Sequence, residues 1–408
     1  MEEWKEYRLG EVTTSIQTGP FGSQLHMSDY SDEGIPVVMP KDMLNGKISE
    51  ISIARVSEEH VNRLSRHKVA DGDILYARRG DIGRCVYISE KENGWLCGTG
   101  CLKLEIDRNK ADPMFLFLQL QNPSIISLIE NRAVGATMPN LNTEILKKVS
   151  IKLPPLPTQQ KIASILSAYD NLIQNYKKQI EALQTAASEL YKEWFVRFRF
   201  PGYQTAEFEN GIPEGWRIET ANKLFNITIG KTPPRAEQEW FSTSENDVKW
   251  VSISDMNQGL FIENTNEKLT KAAVDKFHVI TVPKDTVLLS FKLTIGKVSI
   301  TKFEVTTNEA IAHFHLPDLN WREYIYNYLA EFPYQKLGNT SAIGTAINSQ
   351  IVKKMNIVVP DDIILKKYHK KAGDIFNKIS LLGNQIANLT QQRDLLLPRL
   401  MSGKLEVE

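Results

Sequence analysis

The sequence is short of cysteine, of net charge and of long apolar runs, and each shortage removes a class of protein. Three cysteines, Cys85, Cys97 and Cys101, cannot staple a disulfide framework in a chain of 408 residues. Cys97 and Cys101 have the spacing to begin a zinc site, but no second Cys or His pair follows at ligand spacing, so buried thiols are expected and no metal. The 49 basic and 49 acidic side chains leave no net charge, so any nucleic-acid surface has to be local. No apolar run approaches the ~18 residues of a membrane span, and no charged-then-apolar N-terminus marks a signal peptide. The expectation is a cytoplasmic protein without a membrane partner.

Catalytic signatures are missing too. "GKT" at Gly230 to Thr232 lacks the first glycine of a phosphate loop, whose place is taken by Phe225. Asn122 and Pro123 are followed by Ser124, not by the second proline and aromatic ring of an amino-methyltransferase tetrapeptide, and "GTG" at Gly98 to Gly100 is too short for a cofactor strand. Glu105, Asp107 and Lys110 match poorly the clustered carboxylates of a metal-dependent nuclease. No catalytic residue and no cofactor is expected.

What the chain does have is one long helical pattern, written twice. Leu166, Tyr169, Ile173, Tyr176, Ile180, Leu183, Ala187, Leu190 and Trp194 follow at alternating steps of three and four, the a/d seam of a coiled coil. The seam returns near the C-terminus as Ala372, Ile375, Ile379, Leu382, Ile386, Leu389, Arg393, Leu396 and Leu400, broken only by Arg393. One such helix alone leaves an apolar stripe in water, whereas two can bury each other's, so the pair is expected to associate within the chain. At about 1.5 Å per residue, the span from Pro157 to Arg199 is roughly 60 Å long, the length of a spacer. Arg393 reads as a residue that fixes the pairing register at some cost in stability.

The segments before each helix also repeat. "GIPVVMPKDM" returns as "DVKWVSISDM", so Asp42 and Met43 answer Asp255 and Met256. "GDILYARRGDIGRCVYI", read as strands Ile74 to Ala77 and Arg84 to Ile88 around a basic turn, returns as "KDTVLLSFKLTIGKVSI". In this alignment Arg78 and Arg79 stand where the second copy has Lys292 and Leu293, and Arg84 answers Lys297. The first copy also reads as a leading segment with a short helix before Gly19, and a helix from about Pro113 to Glu130. A duplicated frame with altered loop tips suits two reading heads for two targets.

At "LPPLPTQQKIASILSAYDNLI", "ELYKEWFVRFRFPG", "IPEGWR" and "LLLPRLMSGKL" the chain resembles, over essentially its whole length, the specificity subunits of type I restriction-modification systems. The resemblance implies an α+β (mixed α/β) fold of two pseudo-symmetric target recognition domains separated by two long helices in an intramolecular antiparallel coiled coil. The boundaries expected are 1–156 for the first domain, 157–200 for the first helix, 201–360 for the second domain and 361–408 for the second helix. It further implies double-stranded DNA with a bipartite site as ligand, with the helices setting the gap and seating two modification (methyltransferase) subunits. Restriction (translocase/nuclease) subunits join them, and the chemistry belongs to those partners. The alternative from another class is a coiled-coil adaptor with protein-binding globular ends.

With DNA as the implied ligand, binding residues are sought among loop tips carrying donors. Arg78, Arg79 and Arg84 form a basic hairpin able to grip phosphates or to fork onto a guanine edge. In the second copy Lys292, Lys297 and Arg235 suit phosphate contact, lysine having no planar fork. Thr137, Asn140 and Asn142, with Thr345 and Asn348 in the second copy, suit base edges or, equally, loop capping. Lys41, Asp42, Ser254 and Asp255 are weaker candidates at strand ends. Phe195, Phe198 and Phe200 either pack on the second domain or meet a modification subunit.

Overall fold

Prolines open the first long helix. Pro154 and Pro155 end the strand Ser150–Leu153, and Pro157 sits in the first turn of helix Leu156–Tyr191, where its missing N–H has no partner to lose. The helix runs 36 residues and closes in a π-helical turn, Lys192–Val196. The second long helix, Asp362–Met401, runs 40 residues, and the Asp361 carboxylate accepts the Ile364 N–H at 2.9 Å to cap it. The structure, a computed structural model, describes residues 4–133, 140–336 and 347–407. Among the described residues no helix is long and apolar enough to cross a membrane.

The chain divides into two compact units, residues 1–172 with 389–408 and residues 173–388, so each unit takes part of both long helices. In the first unit Ile162, Ala163 and Leu166 share one apolar core with Leu400 and Met401. In the second, Ala187, Tyr191, Trp194 and Phe195 share a core with Tyr368, Ala372, Phe376 and Ile379. The helices run antiparallel within each unit: Ile162 lies beside Met401 and Asp170 meets Arg393 in the first, and the Trp194 ring lies 5.7 Å from Tyr368 in the second. No seam position is exposed, Leu166, Ile173, Ala187, Trp194, Ala372, Ile379, Leu382 and Leu400 being buried and the others half-buried.

Both units build the same mixed α/β frame. The first has an antiparallel sheet in the order Thr13–Thr18, Cys101–Ile106, Ile74–Ala77, Cys85–Tyr87, and the second repeats it as Asn226–Ile229, Ile311–His315, Val287–Ser290, Val298–Thr301, adding Phe261–Ile262 at the edge. A smaller sheet, Leu96–Cys97, Ile35–Val38, Ala54–Val56, Tyr30–Ser31, reappears as Thr306–Thr307, Val248–Val251, Glu267–Leu269, Phe241–Ser242. A ribbon of Lys5–Arg8 on Ser150–Leu153 reappears as Arg217–Thr220 on Asn356–Val359. Burial on both faces explains near-continuous apolar strands such as Ile74–Ala77 and Val287–Ser290. The thiols of Cys85, Cys97 and Cys101 are free and buried.

Two sequence expectations need correction. The leading segment is not helical before Gly19: it is strand Lys5–Arg8, a single 3-10 turn and strand Thr13–Thr18. Its Thr-rich composition favours the strand once a partner, Cys101–Ile106, is present. The helix expected from Pro113 to Glu130 is two, Pro113–Leu120 and Pro123–Glu130, because Pro123 cannot donate into a continuing helix and the Asn122 side chain caps a new one by accepting the Ser124 N–H at 3.0 Å.

Candidate nucleic-acid interface

The hairpin between the third and fourth strands of each main sheet carries an exposed cation at its tip, Arg79 in the first unit and Lys292 in the second. In the first unit the Ala77 N–H donates to the Arg84 carbonyl at 2.8 Å, closing a loop from Arg78 to Gly83. In the second the Ser290 N–H donates to the Lys297 carbonyl at 2.9 Å, closing a loop from Phe291 to Gly296. The loops match residue for residue, so Arg79 answers Lys292, Gly80 answers Leu293 and Arg84 answers Lys297. This corrects the sequence alignment by one place at the tip: Arg78 and Arg79 stand opposite Phe291 and Lys292. Gly80 and Leu293 both lie in the left-handed region, at φ 78° and 61°. Glycine sits there freely, whereas a residue with a Cβ is disfavoured by about 1 kcal/mol.

The three arginines of the first hairpin differ in what they can do. The half-buried Arg78 donates from Nε to Asn140 Oδ1 and to the Leu141 carbonyl, both at 3.1 Å, and its guanidinium lies 5.9 Å from the Phe21 ring centre. Burial, with the Arg79 charge beside it, pulls its pKa below the ordinary arginine value. Arg84 pairs with Asp81 and points Nη1 towards the Met43 carbonyl at 3.5 Å. Arg79 is exposed, and among the described residues its side chain has no partner. It is therefore the hairpin's available cation.

In the second unit Lys292 is exposed beside the Phe291 ring, at 5.6 Å, and Lys297 donates to Asn257. Arg235 is less free than its sequence suggested. Both its terminal nitrogens fork onto Glu267 at 2.9 Å, and its plane lies 4.3 Å from the Phe241 ring centre and 4.6 Å from that of Trp250. Glu309, bonded to Thr232, lies in the field of Lys292 and Arg235. Burial works to raise its pKa, but the Thr232 hydroxyl and the two cations prevail and hold it below the usual carboxylate value.

The amide candidates divide. Asn142 and Asn348 are exposed helix caps, accepting the Ile145 N–H at 2.8 Å and the Gln350 and Ile351 N–H groups at 3.0 and 3.1 Å. Asn140 is the acceptor that orients Arg78. Thr137 and Thr345 lie outside the described residues. Lys41 is exposed and reaches the Ser52 carbonyl at 3.4 Å. Asp42 and Asp255 are corrected: both are buried and turn inward to accept the Met39 N–H at 2.9 Å and the Ser252 N–H at 2.8 Å, so they present nothing to a ligand. Ser254 stays exposed, its hydroxyl 2.7 Å from that of Ser252.

Sequence reasoning missed what braces the second tip. The buried His313 ring bonds Thr228 through Nδ1 at 2.8 Å and Thr307 through Nε2 at 2.7 Å, and Thr228 also bonds His315 at 2.8 Å. Burial pushes His313 down to about 3. The loop after Thr307 carries Ala310, whose carbonyl accepts the Phe291 N–H at 2.9 Å, so this network supports the base of the hairpin. Alternate Thr and His along strands is a legible polar pattern, but nothing local says that it is buried. The aromatic residues ending the first long helix take the first of their two readings: Phe195 and Phe200 are buried in the second unit's core and Phe198 packs on Phe208 and Trp216.

A family model described as "Type I restriction modification DNA specificity domain" matches residues 1–185 and 213–392. The chain is 25% identical to the type I restriction enzyme HindI specificity subunit of Haemophilus influenzae, over 99% of this chain and 100% of that one. It is 27% identical to the type I restriction enzyme MjaIX specificity subunit of Methanocaldococcus jannaschii, over 94% of this chain and 89% of that one. Among solved structures it shares its fold with the S subunit of a type I restriction-modification system from M. genitalium, at a TM-score of 0.63 and 16% identity, over 98% of this chain and 96% of that one.

Proposed function

Because the chain belongs to the type I restriction-modification DNA specificity family, as a specificity subunit with that domain repeated, we propose that its two units read the two halves of a bipartite double-stranded target. The first reads through the hairpin around Arg79 and the second through that around Lys292. The recognition domains are assigned to 1–156 and 201–360, and the helices at 157–200 and 361–408 to seating two modification subunits. The chain itself is assigned no catalytic step. Adenine methylation and ATP-dependent cleavage belong to the modification and restriction subunits, working with it in the cytoplasm. The observation that carries this reading is the pair of six-residue hairpins with one backbone course and different exposed tips, Arg79-Gly80-Asp81 against Lys292-Leu293-Thr294. A frame kept while its exposed tips diverge is what two readers of unlike sequences require.

The test is a titration of the full chain against pooled DNA duplexes over a range of salt concentrations. The expected result is binding that weakens linearly on a log–log salt plot, with a shallower slope for Arg79→Ala. Absence of DNA binding, with capture of protein partners instead, would favour the adaptor reading.

A further inference from the structure

The second hairpin carries a side chain that neither its fold nor its own unit accounts for. Leu293 is 94% exposed at the tip, in a left-handed backbone conformation that its counterpart in the first unit fills with Gly80. The backbone there favours glycine, and nothing of this chain among the described residues covers the isobutyl group. The tip is also held firmly. The Ser290 hydroxyl donates to the Thr294 carbonyl at 2.5 Å and accepts the Lys297 N–H at 3.0 Å, while Phe291 is buried beneath. Leu293 is thus presented on a fixed base, between the exposed residues Lys292 and Thr294 in the chain.

We propose that Leu293 is a specificity-determining residue that meets the C5-methyl group of a thymine in the half-site read by the second unit. The inference rests on the DNA-reading function proposed above and adds the chemistry of one contact. A cation beside an apolar tip suits a DNA groove, Lys292 taking a phosphate and Leu293 a base edge. In the major groove the one apolar group any base pair presents is the thymine methyl. Gly80 at the matching place offers no such contact, so the preference belongs to one half-site only.

The experiment uses the full chain and the duplex it most enriches from a random pool, with each thymine replaced singly by deoxyuridine, which lacks only the methyl. For the unaltered chain, one thymine in one half-site should give about a fourfold loss of affinity on replacement, the value of one buried methyl. Leu293→Gly, which relieves the backbone, should bind the thymine duplex about fourfold more weakly and no longer distinguish the two. Leu293→Ala should behave likewise, and circular dichroism should show both variants folded. A thymine preference that survives in both variants, or enriched sites indifferent to every replacement, would overturn the role of Leu293 and leave DNA reading intact. Failure to enrich any sequence would overturn both.

Discussion

Arg393 of the second long helix donates from Nη1 to Asp170 Oδ1 of the first at 2.6 Å, inside the first unit. The same guanidinium donates to its neighbour Asp394 at 3.0 and 2.7 Å. Arg393 stands where the apolar seam would have another leucine, so it gives up packing for a contact that one alignment of the helices makes. With the Asp170 side chain 41% exposed, solvent screens the pair, and its direct contribution is under about 1 kcal/mol.

Arg393→Leu is therefore expected to hold or raise the unfolding midpoint while loosening the register. A crosslink scan between helix positions near Ile162 and Met401 should change from one dominant product to several. The same single product, with no gain in stability, would leave Arg393 without this role.

Beside the first hairpin, Asn140→Ala removes the acceptor that orients Arg78. Its effect on DNA affinity should approach that of Arg78→Ala, with the double variant little worse than either, since the two act as one unit. Arg79→Ala should instead reduce the salt slope by about 1, as one lost phosphate contact does. Equal slopes for the parent chain and Arg79→Ala would place Arg79 outside the interface.

The buried His313 makes the second unit acid-sensitive. Unfolded, its ring takes a proton near the ordinary histidine value of about 6.5; folded, burial holds it at about 3. Between these values the unfolded chain binds the extra proton, so this contribution is complete above about pH 6.5 and is lost as pH falls towards about 3. His313→Gln should flatten the curve of urea midpoint against pH in that window. Parallel curves for the two proteins would contradict it.

Phe195→Ala should destabilise the second unit by about 3–5 kcal/mol, because the ring is buried edge-to-face with Tyr324 at 4.7 Å and Tyr368 at 4.8 Å. Calorimetry of the full chain is the measurement. A change below about 1 kcal/mol would return this ring to the surface reading.

The two-copy plan was legible because it is written in order: long helical seams and short apolar strands keep their sequence whatever their partners. What depended on distant partners was not. Thr13–Thr18, with Ile16 its one large apolar residue, becomes a strand through Cys101–Ile106. Arg235 looked free until Glu267 and the Phe241 and Trp250 rings closed around it. Asp42 and Asp255 looked like weak binding candidates at strand ends until their carboxylates turned onto their own loops. The place of Leu293 opposite Gly80 is set by hydrogen bonds across each hairpin, which spacing alone put one residue off.

The most direct test of two readers on one polypeptide is to enrich duplexes from a random pool with the full chain, in parallel with an Arg78→Ala variant and a Leu293→Gly variant, and to sequence what is retained. The unaltered chain should retain two short specified blocks separated by a constant unspecified gap, with Arg78→Ala relaxing one block and Leu293→Gly the other. A single continuous motif, or one block degraded by both substitutions, would contradict the account.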